Sequence, residues 1–310
     1  MRILPIQDVY QKKFERQRKI KELSYHGAGH CVHLGKISPG CYGCFVPDPY
    51  RRSIVVGSKC NADCLYCGLG PTVRGNKRLK DSGLPQYLSK EMCMSMLGAS
   101  KPDYQPSAIS FTGGGEPLMH MDVLETFMAF YEDLHKNLKK KPWYYLYTNG
   151  LLADRKVLDR LKALGFDEVR FHLGASGFSE KVYDNMRYAV KCFKAVSVET
   201  PAWKFHRKKL FEMLPKIEEI GVKHLNITEV ELNSANFERI SKLIPDGEIC
   251  QCGALQLYDD GLVYDLMEEV VRRKYSYSVL DCGCFVKSIQ RTSGKWVYAE
   301  GIDGLCADYG

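Results

Sequence analysis

The chain has 310 residues, 45% of them hydrophobic, and a net charge of +7 from 44 basic and 37 acidic side chains. These totals describe a soluble globular protein, long enough for one large α/β barrel or two ordinary domains. They exclude a membrane span, since no stretch approaches about 20 continuous apolar residues, and a nucleic-acid partner would rest on mild basicity alone.

The opening segment, "MRILPIQDVYQKKFERQRKIKELS", is charged after its first few residues and has neither an apolar core nor a small-residue cleavage site. It is not a signal peptide, and the expected location is the cytoplasm. Lys12, Lys13, Arg16, Arg18, Lys19 and Lys21 read as the solvated face of an amphipathic helix rather than as phosphate contacts. A Gly/Pro/Cys-rich stretch, "YHGAGHCVHLGKISPGCYGC", completes an N-terminal extension over residues 1–50.

From residue 51 strands and helices alternate. "RSIVVGSK", "SAISFTGGGEP", "WYYLYTNG", "DEVRFHLG", "KAVSVETP" and "VKHLNITEVEL" read as six strands. Between them lie helical patterns such as "MDVLETFMAFYEDLHKNL", "DRKVLDRLKALG", "SEKVYDNMRYAVKCF" and "HRKKLFEMLPKIEEIG". Regular alternation implies parallel strands with helical crossovers, hence a partial (β/α)6 barrel over residues 51–245. Residues 246–310, with two C-x-C pairs and Cys306, form a C-terminal cysteine-rich segment.

The 13 cysteines fall at 31, 41, 44, 60, 64, 67, 93, 192, 250, 252, 282, 284 and 306. Close spacing in a long chain without a secretory signal points to metal or cluster ligation rather than disulfides. Cys93 and Cys192 sit in helical patterns and read as packing residues. Cys60, Cys64 and Cys67, at C-x-x-x-C-x-x-C spacing, directly follow the first strand. A structural zinc or a fully protein-capped iron–sulfur cube takes four ligands. Three thiolates instead leave one iron of a [4Fe–4S] cube open.

Ligands of such barrels sit at the C-terminal ends of the strands, and the polar signals gather there. Gly113, Gly114, Gly115 and Glu116 follow the second strand, and Thr148, Asn149 and Gly150 the third. His172, Gly174 and Ser176 follow the fourth. Glu199 ends the fifth, and Asn226, Thr228 and Glu229 lie on the sixth.

The cysteine loop, with Tyr66 at its aromatic position, and the "GGGEP" strand end together resemble the radical S-adenosylmethionine (SAM) superfamily. The resemblance implies an open-iron [4Fe–4S] cluster on Cys60, Cys64 and Cys67, with Tyr66 near the adenine of SAM. Gly113 to Gly115 and Glu116 would meet the methionine amino group; Asn149, Ser176 and Glu199 are further candidates for SAM contact. Asn226, Thr228 and Glu229 resemble the sixth-strand motif that packs against adenine. It further implies reductive cleavage of SAM to methionine and a 5′-deoxyadenosyl radical that abstracts a substrate hydrogen atom. An external one-electron donor such as flavodoxin or ferredoxin is then required. No catalytic side chain on the substrate is assigned.

"LGKISPGCYGC" and the later "CGCFVKSIQR" resemble a branch related to the pyruvate formate-lyase activating enzymes. Cys41, Cys44, Cys250, Cys252, Cys282 and Cys284 are candidate ligands of one or two auxiliary iron–sulfur clusters, with Cys31 and Cys306 outlying. The preferred set joins Cys41 and Cys44 to Cys282 and Cys284; the alternative joins Cys250 and Cys252 to Cys282 and Cys284, leaving Cys41 and Cys44 for Cys31 or another metal. Peptide or protein side-chain modification is the expected activity. The alternatives are a small-molecule enzyme and a non-catalytic cluster carrier or sensor.

Overall fold

The computed structural model describes residues 1–26, 31–42, 51–57, 59–67, 106–112, 115–135, 138, 140–251, 255–258, 261–283, 286 and 296–298. Fourteen strands and eight α-helices are defined among them. The strands are β1 (Arg2–Leu4), β2 (Ser24–His26), β3 (Cys31–Leu34), β4 (Arg51–Val55), β5 (Ala108–Thr112), β6 (Trp143–Thr148) and β7 (Glu168–Phe171). They continue with β8 (Ala195–Pro201), β9 (His224–Thr228), β10 (Val230–Leu232), β11 (Glu248–Gln251), β12 (Leu255–Tyr258), β13 (Ser278–Cys282) and β14 (Trp296–Tyr298). The helices are α1 (Ile6–Gln17), α2 (Pro39–Tyr42), α3 (Met121–His135), α4 (Arg155–Ala163), α5 (Glu180–Cys192), α6 (Arg207–Ile220), α7 (Phe237–Leu243) and α8 (Leu262–Arg273).

The six expected strands, β4 to β9, lie side by side in chain order and run parallel within a 10-stranded sheet. Residue alternation along them explains the architecture. Ile54, Ile109, Phe111, Leu146, Val169, Phe171, Val196, Val198, Leu225 and Ile227 belong to one continuous apolar core. Leu158 and Leu161 of α4, Val182 and Met186 of α5, and Leu210, Leu214 and Ile217 of α6 belong to the same core, at helical spacing. The alternate residues Ser53, Ser110, Glu168, Arg170, Ser197 and Asn226 are buried and polar. A parallel sheet covered only by packing would be apolar on both faces; this one keeps a polar concave face.

Three features exceed the sequence pattern. "VKHLNITEVEL" splits at Glu229: β9 stays in the barrel sheet while β10 joins a second, four-stranded sheet of order β1-β11-β12-β10. From the cysteine-rich C-terminal segment, β13 enters the main sheet parallel to β9 as a seventh strand. β3 and β2 then extend it antiparallel. The chain on either side of residue 245 is therefore woven into both sheets.

The N-terminal extension is equally integrated. Residues Ser38 to Tyr42 enter the concave face. There the Ser38 hydroxyl donates to Glu168 (2.8 Å) and the Tyr145 hydroxyl to the Gly40 carbonyl (3.0 Å). Gly40 is needed for this approach: a Cβ would stand 2.6 Å from Arg170 Nη2 and 2.9 Å from the Tyr145 ring. Lys13, expected on a solvated helix face, is instead buried, 2.7 Å from Glu229 and 3.5 Å from Asp281. Ionic pairing inside the protein, not periodicity, decides its place. Among the described residues no helix is long and apolar enough to cross a membrane.

Candidate active site

The loop holding Cys60, Cys64 and Cys67 is fastened along its whole length. At its entry, the Gly115 N–H donates to the Gly57 carbonyl (3.1 Å) and the Glu116 N–H to the Lys59 carbonyl (2.7 Å). These bonds zip the ends of β4 and β5 together. Asn149, at the end of β6, donates its amide to Asn61 (2.7 Å). At the exit, the Cys67 N–H closes a turn onto the Cys64 carbonyl (3.1 Å). Three consecutive carbonyls are then gripped from α7 and the residue before it. Arg239 donates to Leu65 (2.7 Å) and Cys67 (3.3 Å), and Asn236 to Tyr66 (3.1 Å). Burial, with Cys67 and Cys60 close by, pushes the Cys64 thiol up to about 12. The three sulfurs thus share one region.

Tyr66 sits in an aromatic nest. Its ring stacks on His172 at 5.9 Å between centroids with 8° between planes, and meets Trp203 at 5.7 Å and His206 at 6.0 Å. The Tyr66 and Thr200 hydroxyls are buried without a hydrogen-bond partner in the structure. Between them lies Gly174, whose missing Cβ would stand 2.6 Å from the phenol oxygen and 2.8 Å from the Thr200 hydroxyl. A space kept open by glycine and lined by two unpaired hydroxyls is suited to a polar ligand. Burial lowers the pKa of His172 and His206.

Glu116 is buried, and its carboxylate accepts from the Leu118 N–H (3.0 Å), the Thr148 hydroxyl (2.6 Å) and the Asn149 N–H (2.7 Å). Burial raises its pKa despite these donors. Its bonds lock the β5 end to the β6 end. Ser176 donates to the Leu173 carbonyl (2.9 Å) in the turn after β7. Asn226 donates to Glu199 (3.2 Å) on the concave face, with Thr228 at the end of the same strand. Gly113, Gly114, Cys44, Cys252 and Cys284, like Cys93 and Cys306, lie outside the described residues.

Cys41 and Cys282 come together in one buried cluster that also contains Cys31. Cys250 lies apart from them, packed with Leu4, Val9 and Tyr258 on the smaller sheet, and it enters a disulfide.

Residues 54–198 match the sequence profile of the Radical SAM superfamily. A stretch of 157 residues is 26% identical to the uncharacterized protein MJ0804 of Methanocaldococcus jannaschii, covering 50% of this chain and 42% of that one. Among solved structures, Streptococcus suis SuiB superposes with a TM-score of 0.54 at 11% identity, covering 92% of this chain and 62% of SuiB. SuiB bound to S-adenosylmethionine superposes with a TM-score of 0.53 at 12% identity, over 88% of this chain and 60% of SuiB. This likeness establishes the fold. The chain spans less than two thirds of the length of either protein.

The residues gathered here fit the groups that the Radical SAM superfamily carries. Three cysteines on one clamped loop match the thiolate demand of an iron–sulfur cube with one open iron. The cradle at Gly174, with its two orphaned hydroxyls, matches a ligand bearing both a flat ring and hydroxyl groups. Sequence reading did not single out Asn236, Arg239, Thr200, Trp203 or His206. Asn236 and Arg239 begin a short helix without a motif, and only the fold brings them to the loop.

Proposed function

We propose that the protein is a radical SAM enzyme that abstracts a hydrogen atom from a peptide or protein side chain. The reading is carried by one observation: the three-cysteine loop is clamped beside a glycine-held polar cradle. Cys60, Cys64 and Cys67 would hold three irons of a [4Fe–4S] cluster. When bound, the cluster and SAM supply a 5′-deoxyadenosyl radical, the species able to take hydrogen from an unactivated carbon.

The chain's own residues do the rest. Gly113 to Gly115 would let the backbone approach the methionine end of SAM. Glu116 holds the surrounding strand ends through its three donors. Tyr66, with His172 and Trp203, packs the adenine side, and Asn149, Ser176, Glu199, Asn226 and Thr228 line or support the remainder. Burial of Tyr66, Glu116, Asn149, Trp203 and Asn226 would keep water from a reactive intermediate.

The cysteine-rich flanks support an auxiliary iron–sulfur cluster, and with it a peptide substrate that an additional cluster can anchor or oxidise. Electrons would come from a flavodoxin or ferredoxin in the cytoplasm.

The test is anaerobic reconstitution followed by dithionite and SAM. The protein should release 5′-deoxyadenosine, and the Cys60/Cys64/Cys67 triple alanine variant should release at least a hundredfold less. Undiminished product from that variant would sink the reading. For the substrate, deuterium transfer into 5′-deoxyadenosine from a labelled peptide encoded beside the gene would separate peptide chemistry from small-molecule chemistry.

A further inference from the structure

The antiparallel pairing of β13 with β3 sets Val279 opposite Leu34, Leu280 opposite His33 and Asp281 opposite Val32. One residue further, the same register sets Cys282 opposite Cys31. β3 in turn pairs with β2, where Cys31 faces His26. Cys282, Cys31 and His26 thus form a row across three neighbouring strands. Residues directly opposite in such a ladder have Cβ atoms about 4.5–5.5 Å apart and share a face of the sheet.

That face is the concave one. Val32 and Leu34, the alternate residues of β3, belong to the main apolar core on the other side. Cys31, Cys41 and Cys282 are 0%, 3% and 6% exposed and pack in one cluster with Ile37, Leu280 and Val286. The third thiol arrives on α2, whose entry into the concave face is fixed by the Ser38–Glu168 and Tyr145–Gly40 bonds. His26 stacks on His33 at 4.9 Å and lies 6.0 Å from the Tyr42 ring, next to Cys41 in the chain.

Two observations separate this group from ordinary buried cysteines. The Asn226 amide donates to the Cys41 sulfur at 3.4 Å, a bond that favours sulfur carrying negative charge. The Arg170 guanidinium packs against Gly40, the residue before Cys41, so a cation stands beside the same thiol. Among the described residues no three cysteines, histidines or carboxylates close around one point as ligands of a lone ion do. That holds equally for Cys60, Cys64 and Cys67, whose expected occupant has several metal corners.

From this juxtaposition we infer that Cys31, Cys41 and Cys282 ligate a second iron–sulfur cluster, seated on the concave face at the β13–β3 edge. Cys31 is a full member of the set, and Cys250 is not. The site adjoins the candidate SAM residues directly, because Asn226, one of them, bonds both Cys41 and Glu199. Its role in turnover rests on the radical SAM reading; its existence does not.

The test uses the full chain carrying Cys60→Ala, Cys64→Ala and Cys67→Ala, reconstituted anaerobically. This variant should keep about half of the wild-type iron and sulfide and show a reduced-cluster EPR signal. Adding Cys31→Ser, Cys41→Ser and Cys282→Ser should remove both, whereas adding Cys250→Ser should leave both. Because six substitutions can impair folding, Cys31→Ser alone in the triple background provides a second measurement. With unchanged far-UV circular dichroism it should lower retained iron at least twofold. Zinc in place of iron, no residual cluster in the folded triple variant, iron undiminished by Cys31→Ser, or loss of iron with Cys250→Ser would each overturn the assignment. Release of 5′-deoxyadenosine by the wild type is scored separately, so failure here leaves the radical SAM reading standing.

Discussion

At Gly174 a single methyl group decides whether the cradle is open or filled. Its Cβ would press on the Tyr66 phenol and the Thr200 hydroxyl at distances below any ordinary contact. Neither oxygen has a partner to lose, so a small shift can absorb part of the strain, and overpacking at such a site costs about 1–3 kcal/mol. Gly174→Ala should therefore lower the melting temperature only slightly while weakening SAM binding about tenfold or more, a loss of about 1.4 kcal/mol. Equilibrium binding of SAM to the anaerobic protein reads this directly; unchanged affinity would place SAM elsewhere. Cys60, Cys64, Cys67 and Tyr66 were legible in the sequence because chemistry fixes their spacing. Thr200 and Trp203 were not: Thr200 is one residue within β8, and Trp203 reaches Tyr66 only because the turn after β8 folds back.

At the scale of elements, the cysteine loop takes its shape from α7, which lies beyond the matched domain in the chain. Asn236 also ties to the Glu231 carbonyl (2.8 Å), so the grip on Tyr66 is anchored to the smaller sheet. Arg239 supplies charge-assisted bonds to two loop carbonyls, each worth about 1.5–3 kcal/mol when well formed and less at a half-buried site. Arg239→Ala should leave the fold intact but loosen the loop. Iron content after reconstitution should fall about twofold, and 5′-deoxyadenosine formation by about tenfold, with Arg239→Lys intermediate because an ammonium lacks the planar fork. Full iron content and rate in Arg239→Ala would assign the clamp no part in holding the cluster loop. The six barrel strands were readable because a β-α repeat leaves periodic runs that survive any tertiary detail. The split of the sixth run at Glu229 was not, since "NITEVEL" alternates without a break and only pairing partners part β9 from β10.

At the scale of the whole molecule, the first 42 residues bind the two sheets into one body. β1 pairs with β11 in the smaller sheet, β2 and β3 close the edge of the larger one, and α2 plugs its concave face. Between the sheets, α1 drives Lys13 into a pocket made by Glu229, at the start of the smaller sheet's β10, and Asp281, on the barrel's β13. Asp281 also accepts from the Tyr264 hydroxyl (2.7 Å), itself bonded by Gln17 (2.8 Å). The neighbouring Lys12 provides an internal control. Its side chain is 41% exposed and pairs with Glu248 at 2.8 Å, whereas that of Lys13 is 3% exposed. Exposed pairs contribute about 0–1 kcal/mol, but removing one partner of a buried set leaves uncompensated charge and costs about 3–5 kcal/mol. Lys13→Met keeps the methylene packing and strands two carboxylates against each other, so it should lower unfolding stability in urea by that larger amount. Lys12→Met should change it by less than about 1 kcal/mol. Equal effects from the two variants would mean that the buried trio does not join the sheets, and that α1 is held by its apolar contacts alone.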